Sequence, residues 1–209
     1  MLASIVSDIT DWLEEFSANW WFVLVILVIA LLDSVLPIVP GETMVIVGGV
    51  AAGQGNQPIL LVIACGAIGA FFGDNLAYLI GRRFSDRVNV WADHRVKRRS
   101  RLDAAGRQIK IRGGMLLLTA RFIPGGRSIL TISSGLTKQR WSWFAAWVAV
   151  ATTIWATYAG MIGFFFGQAF EDNHTLAFWL AFSAALGATA LVEFVRWLRL
   201  RRATPNSSA

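Results

Sequence analysis

The chain has 209 residues, 56% of them hydrophobic and 15% charged, with ten Trp and fourteen Phe against two Tyr. Apolar runs of this density exclude an ordinary soluble domain and place the chain in the membrane class, while the lone Cys65 excludes an internal disulfide. The net charge of +6 does not point to nucleic acid, because it is concentrated in two blocks that flank apolar segments: eleven Lys or Arg within residues 82–112, and Arg196, Arg199, Arg201 and Arg202.

Residues 1–18 predict an amphipathic interfacial helix, with Ile5, Ile9, Trp12, Leu13 and Phe16 at helical spacing. Asp8, Asp11, Glu14 and Glu15, with no basic residue beside them, argue against a secretory signal. Residues 20–36 predict a first transmembrane helix, opened by Trp20 and Trp21 at the headgroup boundary. Residues 37–55 are too short for a simple span and hold Pro37, Pro40, Gly41, Gly48, Gly49, Gly53 and Gly55, so they predict a re-entrant hairpin. Residues 58–81 predict a full span in which Gly66, Gly69 and Gly73 permit close helix contact, followed by Asp74. Residues 82–112 read as a basic cytoplasmic loop.

Residues 115–136 repeat the broken pattern with Arg121, Pro124, Gly125, Gly126 and Arg127, predicting a second hairpin. Residues 141–170 carry no charge and predict a long or tilted span. A polar turn at 171–174 precedes a last span at 175–192, which ends in Glu193 and Arg196 at i,i+3. Residues 203–209 read as a disordered tail. The expected fold is therefore an all-α polytopic membrane protein. It has about four transmembrane helices and two opposed re-entrant hairpins, with residues 19–202 as one membrane domain.

Four charges stand in or just before the broken segments: Asp33, Glu42, Arg121 and Arg127. Each costs about 2.5–3.5 kcal/mol near the bilayer centre on insertion scales, so they are expected to pair. The stretches Val39-Pro40-Gly41-Glu42 and Ile123-Pro124-Gly125-Gly126-Arg127 echo each other: an apolar residue, a Pro-Gly break, then a charge. Interrupted segments at matching places in two halves point to a midplane site in an inverted repeat. Placing every basic cluster inside makes the hairpins approach from opposite faces, which lets carboxylates and guanidiniums meet.

These residues carry a family resemblance. Asp33 with Pro40-Gly41-Glu42, Gly73-Asp74 with Tyr78 and Gly81-Arg82, and Arg121-Phe122-x-Pro-Gly-x-Arg127 resemble the DedA family of bacterial inner-membrane proteins, within the wider VTT-domain group. The resemblance covers roughly residues 20–200. It implies a fold with two opposed re-entrant hairpins, and transport or scrambling of lipids, notably undecaprenyl phosphate, driven by the proton motive force. By motif position, Asp33 and Glu42 match the family's essential acidic pair, and Arg121 and Arg127 its essential arginines. Asp33 stands where many relatives have Glu.

The leading expectation is thus a membrane lipid transporter in the bacterial cytoplasmic membrane and not an enzyme, with the 82–112 loop and the C-terminus cytoplasmic. Arg121 and Arg127 would bind the lipid phosphate, and Asp33 and Glu42 would couple protons or serve as ion-pair partners. Asp74, Pro40, Gly41, Pro124 and Gly125 would support the site. The expected partners are a polyprenyl phosphate or anionic phospholipid, protons, membrane lipids and a second copy of the chain; no nucleic acid, cofactor or metal is called for. One alternative is a transporter of protons, cations or small compounds in which the arginines are structural. An intramembrane lipid phosphatase or protease ranks last, because no His lies in an apolar segment and no Gly-x-Ser-x-Gly is present. His94 and His174 are given no chemistry, and the Trp residues read as interface anchors. The topology makes a prediction for single cysteines introduced on a background lacking Cys65. Positions 53–57 should react with an impermeant maleimide only from outside, and positions 137–140 only from inside; the opposite labelling of either loop would break the opposed-hairpin arrangement.

Overall fold

The structure, a computed structural model, describes residues 19–36, 39–93, 100, 106–107, 109, 111, 113–121 and 126–169. Six helices account for most of these residues, and no strand occurs among them: α1 (Phe22–Val35), α2 (Gly41–Gly53), α3 (Ile59–Asp93), α4 (Gly114–Ala120), α5 (Gly126–Leu136) and α6 (Trp141–Ala169). Prolines set the first boundaries. Leu36 is extended at φ −117° and ψ 99°, as the residue before Pro37 must avoid the helical region, and this ends α1. Pro40 caps α2, where its missing N–H removes no helical bond. The carbonyl of Pro58 accepts from Leu61 and Val62 at the start of α3.

Helix length sorts these elements. At 1.5 Å per residue, the 35 residues of α3 and 29 of α6 extend about 52 and 44 Å, beyond the ~30 Å hydrocarbon core. Both are long and apolar enough to cross a membrane. The 14 residues of α1 and 13 of α2 reach only about 20 Å each. The surface supports a lipid environment. Leu24, Val28, Leu32 and Leu36 form an exposed stripe on one face of α1 and its end, and Ile68, Phe72, Leu76 and Leu79 another on α3, while Ser34, Asp74, Asn75, Thr131, Ser134 and Thr152 are buried. Apolar stripes on the outside, with polar residues buried among the apolar core, are the reverse of what a water-facing surface favours.

Glycines fix which helices touch. A Cβ on Gly69 or Gly73 would strike the backbone carbonyl of Leu27 or Leu31, so α1 lies against the backbone of α3. A Cβ on Gly49, Gly53, Gly163 or Gly167 would likewise strike backbone across the α2–α6 seam. Gly81 and Gly135 bring α3 and α5 into the same kind of contact. The main core fills the space between, with Phe22, Ile26, Val45, Ile46, Val62, Trp155 and Ala156. Beyond it, Tyr78 stacks on Phe144 at 4.5 Å and donates its hydroxyl to the Gln139 carbonyl at 2.6 Å, while Arg82 donates to the Tyr78 oxygen at 2.8 Å.

The expected close contact through Gly69 and Gly73 is present. Two expectations need correction. The basic segment from residue 82 is not loop at its start, because α3 runs unbroken to Asp93; Ser85 donates to the Leu136 carbonyl at 2.7 Å and Lys138 pairs with Asp86 at 2.6 Å, tying this extension to the end of α5. Gly48 and Gly49 do not interrupt residues 37–55 either: Gly41–Gly53 is one continuous helix whose glycines serve close packing. Within 115–136 the chain does break, into α4 and α5. The predicted amphipathic helix at 1–18, the acidic turn at 171–174, the span at 175–192 and the tail at 203–209 lie outside the described residues. The seams generate a prediction. Gly163→Ala forces α2 and α6 apart and should cost about 1–3 kcal/mol, read as a lower melting temperature in detergent, whereas Gly66→Ala, which meets a Val45 methyl at 3.0 Å, should cost less.

Candidate functional site

Asp33 and the two arginines of the second broken segment converge on α3. Asp33 lies in the last turn of α1, Asp74 in the middle of α3, Arg121 at the C-cap of α4 and Arg127 in the first turn of α5. Arg121 Nη1 donates to Asp74 Oδ2 at 2.5 Å, with the two side chains 2% and 1% exposed. Arg127 Nη1 donates to Asp33 Oδ2 at 3.1 Å, and its Nε lies 3.8 Å from Asp74 Oδ1. Asp74 therefore faces both arginines, one oxygen toward each.

Backbone chemistry explains the Asp33–Arg127 pair. The residue four beyond Asp33 is Pro37, which has no N–H, so the Asp33 carbonyl lacks the donor that a continuing helix would supply. Arg127 Nη2 donates to that carbonyl at 2.5 Å. The guanidinium thus satisfies carboxylate and carbonyl of one residue together. Arg127 needs this support, because a cation in the first turn of a helix faces the positive end of its dipole. Two glycines make the approach feasible. A Cβ on Gly41 would sit 2.7 Å from the Asp33 carboxylate, and one on Gly73 would sit 2.5 Å from Ser34 Cβ.

Arg121 is held on a second side. Its Cζ lies 4.9 Å from the ring centroid of Trp155, a buried residue of α6, in cation–π range. Its Nε and Nη2 are buried without a hydrogen-bond partner among the described residues, as is Asp74 Oδ1. Glu42 occupies the first turn of α2, where the helix dipole favours a negative charge; it feels the charges of Asp33 and Arg127 but makes no ion pair with either arginine among the described residues. Pro40 and Gly41 shape the entry of α2 as expected; Pro124 and Gly125 lie outside the described residues.

Residues 39–165, more than half of the chain, match the VTT domain. The chain is a VTT-domain protein of the DedA family. An uncharacterized membrane protein of Mycobacterium tuberculosis is 28% identical over 187 residues, 87% of this chain and 82% of its own length. Undecaprenyl phosphate transporter A of Staphylococcus aureus is 30% identical over 156 residues, 70% of this chain and 72% of its own. Protein DedA of Escherichia coli is 27% identical over 135 residues, covering 64% and 62%. No solved structure matches. The VTT match spans Glu42, Asp74, Arg121, Arg127 and Trp155, and leaves Asp33 just before its start. The DedA assignment makes the chain a membrane protein and supports a transporter role.

Sequence reasoning undervalued two residues. Asp74 is expected from the sequence only to support the site; it faces both arginines. A lone acid in the middle of a span was a sufficient signal, since two buried guanidiniums need two carboxylates. Trp155 was grouped with the interface anchors. Its position, about 21 Å along α6 from Trp141, belongs to the bilayer interior, where an anchor has no headgroup to meet. Removing one partner of a buried pair leaves the other uncompensated, so Asp74→Ala should cost about 3–5 kcal/mol in detergent unfolding. Asp86→Ala, which breaks the exposed Lys138 pair, should leave the melting temperature nearly unchanged.

Proposed function

We propose that this DedA-family protein is a proton-coupled transporter of lipids with an anionic phosphate headgroup, of which undecaprenyl phosphate is the leading candidate. It works in the bacterial cytoplasmic membrane with its basic segment and C-terminus inside. The observation that carries the reading is the convergence of Arg121 and Arg127 on one buried carboxylate, where broken helices meet. Broken helices buried in membrane protein are the usual seat of a transported headgroup, and guanidinium forks fit phosphate. The Staphylococcus aureus relative, whose name states that it transports undecaprenyl phosphate, supports the substrate class. The two broken segments then serve as opposed hairpins, each delivering charge to the midplane while the lipid tail stays in the bilayer.

Charge balance links the anion to a proton. Arg121 and Arg127 with ionised Asp33 and Asp74 sum to zero, so an entering phosphate leaves an uncompensated charge in a low-dielectric site. A proton taken up by Asp33 cancels it and frees Arg127 for the phosphate. Asp33 suits this role better than Asp74 because its pair is the wetter one, 16% and 14% exposed against 1% and 2%. Glu42, one residue beyond the Gly41 that abuts Asp33, is the second proton acceptor.

One observation favours a different reading: both arginines already have carboxylate partners, as a purely structural lock would. Lysine keeps the charge of Arg127 but cannot serve the carboxylate and carbonyl of Asp33, or two phosphate oxygens, as a planar fork. In phosphatidylcholine vesicles bearing the purified protein, labelled undecaprenyl phosphate should flip faster than in protein-free vesicles and respond to a pH gradient. Arg127→Lys should slow it at least about tenfold. Absence of acceleration at every gradient would overturn lipid transport, and full activity of Arg127→Lys would leave the arginine a charge-only role.

A further inference from the structure

The two arginines are held differently. Arg127 commits Nη1 and Nη2 to Asp33. Arg121 commits Nη1 to Asp74, sets its Cζ over the Trp155 ring, and leaves Nε and Nη2 buried and unpartnered among the described residues. Those two nitrogens share one edge of the guanidinium. Their N–H bonds run parallel, at the spacing of two oxygens of one oxyanion. We infer that Trp155 is a positioning residue that holds the Arg121 guanidinium in place, so that its Nε–Nη2 edge forms a ready-made donor pair for the headgroup oxyanion.

The inference rests on the lipid-phosphate reading and divides its labour. An anion reaching Arg127 must displace Asp33, whereas at Arg121 it meets donors already aligned. The Trp155 ring suits this task because of what it does not do. A carboxylate or carbonyl would hold Arg121 by consuming N–H groups, but a ring face attracts the cation while leaving its in-plane donors free. Asp74 alone would not suffice, since a single hydrogen bond at Nη1 lets the guanidinium pivot about it and swing the opposite edge away. Trp155 is itself fixed, 5% exposed within the main core, and lies on α6, whose backbone is locked to α2 by the glycine seam. The position of the Arg121 guanidinium is thereby referred to the long helix α6 rather than to the broken segment that carries it.

The test uses the full chain in mild detergent, with undecaprenyl phosphate as the probe and its retention read by native mass spectrometry. Trp155→Leu should weaken retention about tenfold and Trp155→Phe, which keeps a ring face, about threefold or less. Arg121→Lys keeps the charge beside Asp74 but has no paired edge, and should abolish retention at an unchanged melting temperature. Wild-type retention by Trp155→Leu, Trp155→Phe no better than leucine, or full retention by Arg121→Lys would each overturn the inference. Should Trp155→Leu fail to fold, the phenylalanine and lysine variants still decide. Inorganic phosphate that displaces the probe from the wild type supports the edge as an oxyanion seat and shows that free phosphate also fits; no displacement ties the seat to the lipid form. Vesicle flip separates the two readings. Wild-type protein that retains the probe through Trp155 and Arg121 yet does not flip it overturns transport and leaves this inference standing.

Discussion

Asp74 is the charge on which the arrangement of this protein depends. In an apolar interior a guanidinium without a partner is prohibitively costly, and the described helices hold two. One carboxylate in the middle of a spanning helix faces both, and Asp33 completes neutrality. The rest of the architecture makes that meeting geometrically feasible. Gly69 and Gly73 bring α1 against α3, which puts the end of α1, with Asp33, beside Asp74. The Pro37–Pro40 break then ends α1 there, and Gly41 admits the Asp33 carboxylate against the start of α2. Gly81 and Gly135 do the same for α5, whose first turn delivers Arg127.

Proline has a chemical role here as well as a geometric one. Ending a helix inside a membrane leaves carbonyls without donors, and lipid offers none. At Asp33 that deficit becomes a binding feature, since the same arginine fork that balances the carboxylate also satisfies the carbonyl. A break that would be a defect in an ordinary span thus specifies which residue Arg127 meets. Lysine could neutralise the charge, but its compact ammonium lacks the planar fork that fits the two acceptors together.

The sequence made the breaks, the intramembrane charges and the α1-facing glycines legible, because each violates what a plain membrane span tolerates. It anticipated that Asp33 would meet one of the arginines, as it meets Arg127, but left the Asp74–Arg121 pair illegible. Asp74 and Arg121 are 47 positions apart, and no periodicity connects residues on different helices. Glu42 follows Pro40-Gly41 and lies near enough to Asp33 and Arg127 to feel their charges, yet it forms no ion pair with either arginine among the described residues, a distinction that no sequence pattern carries. Gly48 and Gly49 were ambiguous for a related reason. Glycine reads equally as a break or as a contact surface until its neighbours are present; here these are the side chains of Ile26 and Val62 for Gly48 and the backbone of α6 for Gly49.

The unequal exposure of the two ion pairs bears on how such a site could cycle. Arg121 and Asp74 are sealed, so separating them exposes two buried charges and is steeply unfavourable; they behave as a fixed foundation. Arg127 and Asp33 are partly exposed and can exchange partners at lower cost. Under the proposed transport reading this asymmetry guards against leakage. Release of Arg127 strands the carboxylate and the orphan carbonyl of Asp33 at once, so a proton without an anion leaves Arg127 unbalanced and the carbonyl unsatisfied. An anion without a proton leaves two negative groups competing for one fork. Only arrival of both restores neutrality, and the coupling then follows from electrostatics at a proline-broken helix end, with no separate gate required.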